Sequence, residues 1–267
     1  MGFAIYQVDA FTDQPFTGNP AAVCLLEAAR SDEWMQSLAA EMNLSETAMV
    51  SAAAGENTFH LRWFTPTVEV DLCGHATLAA AHVLWEEDLA ALDEPIRFHT
   101  RSGDLFARRQ NGEIELDFPA DPIQQTSTPE GLEAALGISP VFVGRGRHDY
   151  LLVLETEQQV RALTPDFSAL AKIPGRGFIV TAPGEGAVDF VSRFFAPGAG
   201  INEDPVTGSA HCTLVDYWQN RLSKQAFIAR QVSQRSGVVK VAVNGNRVTL
   251  GGQAVTIFKG RLYDCVG

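Results

Sequence analysis

The 267-residue chain is short of basic residues, of cysteine and of long apolar stretches. Lysine and arginine total 20 against 32 acidic residues, a formal net charge of −12. A nucleic-acid surface needs clustered cations to neutralise phosphates, so no nucleic-acid partner is expected. No apolar run reaches the roughly 18 to 20 residues of a membrane-spanning helix, so no membrane partner is expected. The cysteines, at 24, 73, 212 and 265, have neither CxxC spacing nor the density of a disulfide scaffold, which fits a cytoplasmic location. Residues 1–9 carry no basic segment and alternate like a strand, so a secretory signal is not expected either.

What is present is an ordinary globular composition, 46% hydrophobic and 19% charged, with room for two domains of about 100 to 150 residues. One pattern occurs twice. Arg62-Trp63-Phe64-Thr65-Pro66 leads into Asp71-Leu72-Cys73-Gly74-His75-Ala76-Thr77, and Arg193-Phe194-Phe195-Ala196-Pro197 leads into Asp204-Pro205-Val206-Thr207-Gly208-Ser209-Ala210-His211. Each copy reads as a strand, a polar turn, a glycine where backbone comes close to something, and the first turn of a buried helix. Helix starts carry unpaired N–H groups and partial positive charge, which favour a carboxylate.

In chain order, residues 3–11 alternate as a first strand, 12–20 form a polar turn that includes Asn19, and 21–26 are a second apolar run. Ser31 with Asp32 and Glu33 starts a helix whose Met35, Leu38, Ala39 and Met42 form one apolar stripe. Glu46 then falls at a helix-to-strand junction among Met42, Leu44 and Met49. Residues 76–85 are apolar on nearly every face, so that helix belongs inside something, and the strands before and after it suggest a curved sheet wrapped around it. Residues 119–131, with three prolines, are the best linker candidate. The expected domains are 1–118 and 126–267, with the last strand, about 254–267, free to pack on the first domain.

Glu46 is the sharpest chemical candidate, because a carboxylate in an apolar pocket is tuned toward taking and returning a proton near neutral pH. Against that stands an ordinary solvated glutamate beyond a helix end. His75, at a helix start, is expected to be neutral and hydrogen-bonding. Asp204 and Ser209 bracket Gly208 and can equally be capping residues. Neither Cys73 with His75 nor Ser209 with His211 makes a nucleophile and base pair at a spacing of two, and no Gly-x-Ser-x-Gly elbow is present. His75 and His82 lie two turns apart with no completing carboxylate, so no metal site is expected and His82 reads as helix packing. Gly144-Arg145-Gly146 and Gly175-Arg176-Gly177 read as turns.

Asn43-Leu44-Ser45-Glu46-Thr47-Ala48, then Phe64-Thr65-Pro66 leading to Cys73-Gly74-His75-Ala76-Thr77, then Glu203-Asp204-Pro205-Val206-Thr207-Gly208-Ser209-Ala210, resemble the phenazine-biosynthesis PhzF-like isomerases. With Val8-Asp9-Ala10-Phe11 and Gly18-Asn19-Pro20 the likeness spans essentially the whole chain. The resemblance implies the α+β diaminopimelate-epimerase-like fold: two similar domains, each a curved, mostly antiparallel sheet around a central helix, with the active site in the cleft between them. It implies no cofactor, no metal, a small carboxylate-bearing substrate and a homodimer. It also implies that Glu46 transfers the proton, that His75 and Asp204 assist catalysis, and that Gly74, Gly208, Ser209, Cys73, Thr207 and Asn19 line the substrate. In the related epimerases two opposed cysteines occupy the places of Cys73 and Thr207. Threonine is too weak an acid to replace a thiol, which excludes a two-thiol racemase. The expected activity is therefore a cofactor-independent isomerisation moving a proton between carbons through one glutamate. The alternatives are a one-thiol racemase or epimerase using Cys73, and a non-catalytic protein of the same fold that binds a small acid.

Overall fold

A computed structural model describes residues 3–263, so Cys265 and the outermost residues of both expected domains lie outside the described residues. The chain divides into two compact units. The first runs to Asp117 and takes back the chain from Gly251 on, and the second is Phe118–Leu250.

The first unit contains strands β1 (Ala4–Ala10) and β2 (Asn19–Leu26), helix α1 (Asp32–Met42), strands β3 (Glu46–Ala52), β4 (Thr58–Phe64) and β5 (Glu69–Val70), helix α2 (Gly74–Glu86), and strands β6 (Ile96–Thr100), β7 (Gly103–Gln110) and β8 (Glu113–Pro119). The chain's last strand, Ala254–Arg261, pairs antiparallel with β1. From it the sheet runs β1, β2, β3, β4, β6, β7, β8, parallel at β2/β3 and β4/β6 and antiparallel elsewhere. Helix α2 packs on β1, β2 and β3. Its alanines 76, 79, 80 and 81 are all fully buried, which lets the strands approach the helix closely, while Leu78 and Val83 fill the remaining space. Each such Leu or Val stabilises by about 1.5–3 kcal/mol when fully buried. The other face of the sheet is covered by α1, where Met35, Leu38 and Ala39 pack with Ile5, Cys24, Met49 and Phe64. Ser31 caps α1 by accepting the Trp34 N–H at 3.3 Å. The helix stops at Asn43, whose left-handed φ of 50° turns the chain into β3.

The second unit repeats this order. It contains β9 (Gln124–Gln125), α3 (Leu132–Leu136), β10 (Phe142–Arg145), β11 (Asp149–Val153), α4 (Glu157–Ala162), α5 (Phe167–Leu170), β12 (Gly177–Pro183), β13 (Phe190–Ala196), β14 (Ile201–Asp204), α6 (Gly208–Leu222), β15 (Ala226–Gln231), β16 (Gly237–Asn244) and β17 (Arg247–Gly252). Its parallel pairs, β11/β12 and β13/β15, fall where β2/β3 and β4/β6 fall in the first unit. Short strands β5 and β14 both fold back antiparallel on the preceding long strand. Helix α6 packs its buried Leu214, Val215 and Trp218 inward, with the Trp218 ring stacked on Phe190 at 5.6 Å.

The sequence reading missed α3, α4 and α5, which are short and lack a full apolar stripe. Gly144 and Arg145 belong to β10 rather than to a turn, since their backbone pairs with Leu151 and Tyr150. The expected linker lies within the second unit and contributes β9. No helix among the described residues is long and apolar enough to cross a membrane.

Candidate active site

Glu46 is the first residue of β3, placed three residues beyond the left-handed Asn43 that ends α1 and paired in parallel register with Ala21. Cys73 is the extended residue that precedes α2, Gly74 is its first helical residue and His75 its second. This local geometry turns the His75 ring into the unit, where it is 4% exposed. Nε2 of His75 lies 3.2 Å from Glu46 Oε2. Nε2 nonetheless makes no hydrogen bond of good geometry in this state. Catalytic hydrogen bonds are commonly this loose before substrate binds.

The other ring nitrogen decides the tautomer. Nδ1 is 3.2 Å from the amide nitrogen of Asn19, and an amide N–H₂ can only donate. Nδ1 is therefore an acceptor, and the proton of the neutral ring sits on Nε2, on the side of Glu46. The Cys73 sulfur, 3.5 Å from the same Nδ1, can donate there as well. Burial pushes the His75 pKa down to about 3, so the ring is neutral at physiological pH. Asn19, expected in a turn, is instead the fully buried first residue of β2, and its amide is engaged with His75. Gly18 makes this possible: its φ is +68°, and a Cβ there would stand 2.3 Å from the Ala10 carbonyl oxygen.

Donor atoms of Glu46, Cys73 and His75 all lie within 4.8 Å of one another, a spacing a metal ion can exploit. The chemistry of the set fits an ion poorly. Cys73 faces Nδ1 while Glu46 faces Nε2, and lone pairs on opposite nitrogens of one ring diverge. The described residues also form a cavity of about 400 Å³ around His82, Glu86 and Arg109, toward the far end of α2, which contains none of these groups. There His82 Nε2 lies 3.1 Å from Thr256 Oγ1.

In the second unit the expected residues gather at the start of α6. Asp204 ends β14, and its carboxylate accepts the Thr207 hydroxyl. Thr207 immediately precedes α6, Gly208 opens it and Ser209 is its second residue. The Thr207 hydroxyl is thus committed to Asp204, and its N–H donates to Gln231 Oε1 at 2.8 Å. Gln231 Nε2 donates to the Asp204 carbonyl at 2.7 Å, so a single buried amide clasps both ends of the Asp204–Thr207 turn. Sequence reading missed Gln231, the last residue of β15, because only the sheet register brings it to this turn. Ser209 Oγ lies 3.3 Å from Arg176 Nη2. His211 donates from Nδ1 to the Thr207 carbonyl at 2.8 Å, and burial lowers its pKa to about 4.

A family model described as phenazine biosynthesis-like protein (PhzC-PhzF) matches residues 8–260. An uncharacterized isomerase of Halalkalibacterium halodurans is 52% identical over 260 residues, 97% of each chain. The human phenazine biosynthesis-like domain-containing protein is 37% identical over 287 residues, covering 98% of this chain and 99% of its own. The crystal structure of a PhzF-family protein from Enterococcus faecalis matches with a TM-score of 0.94 at 45% identity, over 98% of this chain and 100% of that one. A hydroxyproline epimerase from Agrobacterium vitis shares the fold alone, with a TM-score of 0.63 at 11% identity over 98% of this chain and 92% of that one. The chain belongs to the phenazine biosynthesis-like (PhzF) family, as an isomerase of diaminopimelate-epimerase-like fold whose substrate is unassigned.

Proposed function

We propose that this isomerase moves a proton between carbons of a small carboxylate-bearing substrate, with Glu46 as the acid and base and without a cofactor. The observation that carries the reading is the array Asn19–His75–Glu46: an amide fixes the imidazole tautomer, and the imidazole presents its remaining N–H side to the carboxylate at 3.2 Å. The ionised form of Glu46 is the form that takes a proton from carbon. Glu46, once protonated, returns the proton to a second carbon. His75 stays neutral throughout. Burial favours the uncharged ring, so its part is to stand beside Glu46 and position it. Asp204 and Ser209 take positioning roles, held by Thr207, Gln231 and Arg176. The homodimer expected from the resemblance belongs to the same proposal.

One observation favours the thiol reading, namely Cys73 Sγ at 3.5 Å from His75 Nδ1. The same imidazole argues against it. Burial keeps that ring neutral, so it offers the sulfur no imidazolium to stabilise a thiolate.

The test is a screen of small cyclic and acyclic carboxylic acids for deuterium uptake from heavy water at carbon, read by NMR and mass spectrometry. At least one acid exchanges if the proposal holds. Failure of every acid to exchange, with a folded protein, contradicts it.

A further inference from the structure

The internal repeat allows the second unit to be read position by position against the first. Thr47 pairs with Phe64 in β3/β4, and Phe178 pairs with Phe195 in β12/β13. One residue earlier, each inner strand begins at a parallel pairing, Glu46 with Ala21 and Gly177 with Asp149. Gly177 therefore occupies the position of Glu46. Ser209, the second residue of α6, occupies the position of His75, the second residue of α2. Where the first unit holds a carboxylate and an imidazole, the second holds a glycine and a serine.

A side chain at Gly177 would force the Phe194 ring to move, because a Cβ would lie 2.3 Å from it. The place beside the helix start is taken instead by Arg176, one residue earlier. Its Nη2 is 3.3 Å from Ser209 Oγ, much as His75 Nε2 is 3.2 Å from Glu46 Oε2. The guanidinium is anchored from behind, with Nε donating to Asp149 Oδ1 at 2.9 Å and Nη2 donating to Asp149 Oδ2. The Asp149 side chain is 1% exposed and that of Arg176 44%, so the pair has a buried acidic end and a solvent-facing cationic end. Of the guanidinium donors, those on Nη1 have no partner among the described residues. Asp121 and Asp204 also act on this charge, but each already accepts hydrogen bonds. Asp121 accepts from Thr213 and from the Arg147 N–H, and Asp204 accepts from Thr207.

We propose that Arg176 binds the carboxylate of a small acid through its Nη1 edge beside Ser209. The inference rests on the reading above that the substrate bears a carboxylate. It assigns a function to a Gly-Arg-Gly triplet that the sequence presents as a turn.

The test compares benzoate with its neutral isostere benzamide, as dissociation constants from ligand-observed NMR titration of the full chain. Arg176→Lys keeps the charge and loses the planar fork. Arg176→Gln removes the charge but strands the buried Asp149 carboxylate and can unfold the unit, so Asp149→Asn with Arg176→Gln removes both charges together. Wild type is expected to prefer benzoate. The preference falls about ten- to a hundredfold in the double variant, and part of it survives in Arg176→Lys. An unchanged benzoate preference in the folded double variant, as would follow if Arg176 served only to neutralise Asp149, overturns the proposal. Absence of any preference in wild type overturns it too. Arg176-dependent benzoate binding without exchange at carbon in any acid would leave the anion-binding role standing and remove the isomerase chemistry assigned to Glu46. Exchange that is indifferent to Arg176 would do the reverse.

Discussion

Replacing Gln231 with leucine probes how the second unit holds Asp204. The amide is fully buried; it donates to the Asp204 carbonyl at 2.7 Å and to Thr207 Oγ1 at 3.3 Å, and accepts the Thr207 N–H at 2.8 Å. Leucine keeps a similar volume and removes the hydrogen bonds to one buried backbone carbonyl and one buried backbone N–H. Each lost bond costs about 1–3 kcal/mol, and the added apolar burial offsets about 1 kcal/mol, for a net loss of roughly 1–5 kcal/mol. At about 2–4 °C per kcal/mol for a chain of this size, the melting temperature falls by around 10 °C. Gln231→Glu keeps the acceptor, loses the donor and sets a second carboxylate near Asp204. When protonated it can donate as glutamine does, so this variant is expected closer to wild type at about pH 4 than at about pH 7. Thermal unfolding followed by circular dichroism at both pH values is the assay. A Gln231→Leu protein that melts within about 2 °C of wild type would refute the clasp.

Further outcomes follow from the same geometry. His75 and His211 have folded pKa values lowered by burial to about 3 and about 4, below the ordinary 6.5, so the unfolded chain binds protons that the native state refuses. Their contribution to stability is present above about pH 6.5 and lost as pH falls toward 4, at up to about 1.4 kcal/mol per pH unit for each group. Urea unfolding across that window should show a slope reduced by close to one proton in His211→Asn; an unchanged slope contradicts the neutral assignment. Gly18→Ala should destabilise by about 1–2 kcal/mol from its left-handed backbone alone and by more from the contact with the Ala10 carbonyl, with a change in the His75 ring resonances as Asn19 shifts. Normal stability and unchanged His75 signals would count against that role. Cys73→Ala should retain most of the proton exchange at carbon, whereas its abolition would transfer the chemistry to the thiol.

Helix α2 was legible because its apolar residues cover nearly every face, and α6 because its lead-in repeats that of α2. The junction before Glu46 was legible because a capping serine, an apolar stripe and a left-handed asparagine all act locally. Asn19 was read as part of a turn since Gly18 and Pro20 surround it, and only the pairing of Ala10 with Asn19 makes it a strand residue. Gln231 and Arg176 left no local signal. Gln231 lies 24 positions from Thr207, and Arg176 lies 27 from Asp149 and 33 from Ser209. Sheet register brings them together, and register is set by pairings a linear pattern does not contain.

The most direct test of the account is the rate of solvent deuterium uptake at carbon by wild type and by Glu46→Gln, on whichever acid exchanges. Glutamine keeps the shape and the contact with His75 and removes the base. The account predicts a loss of about a hundredfold or more, within the range of general acid–base catalysis, with substrate binding and melting temperature little changed. Exchange at a wild-type rate in the folded Glu46→Gln protein would contradict it.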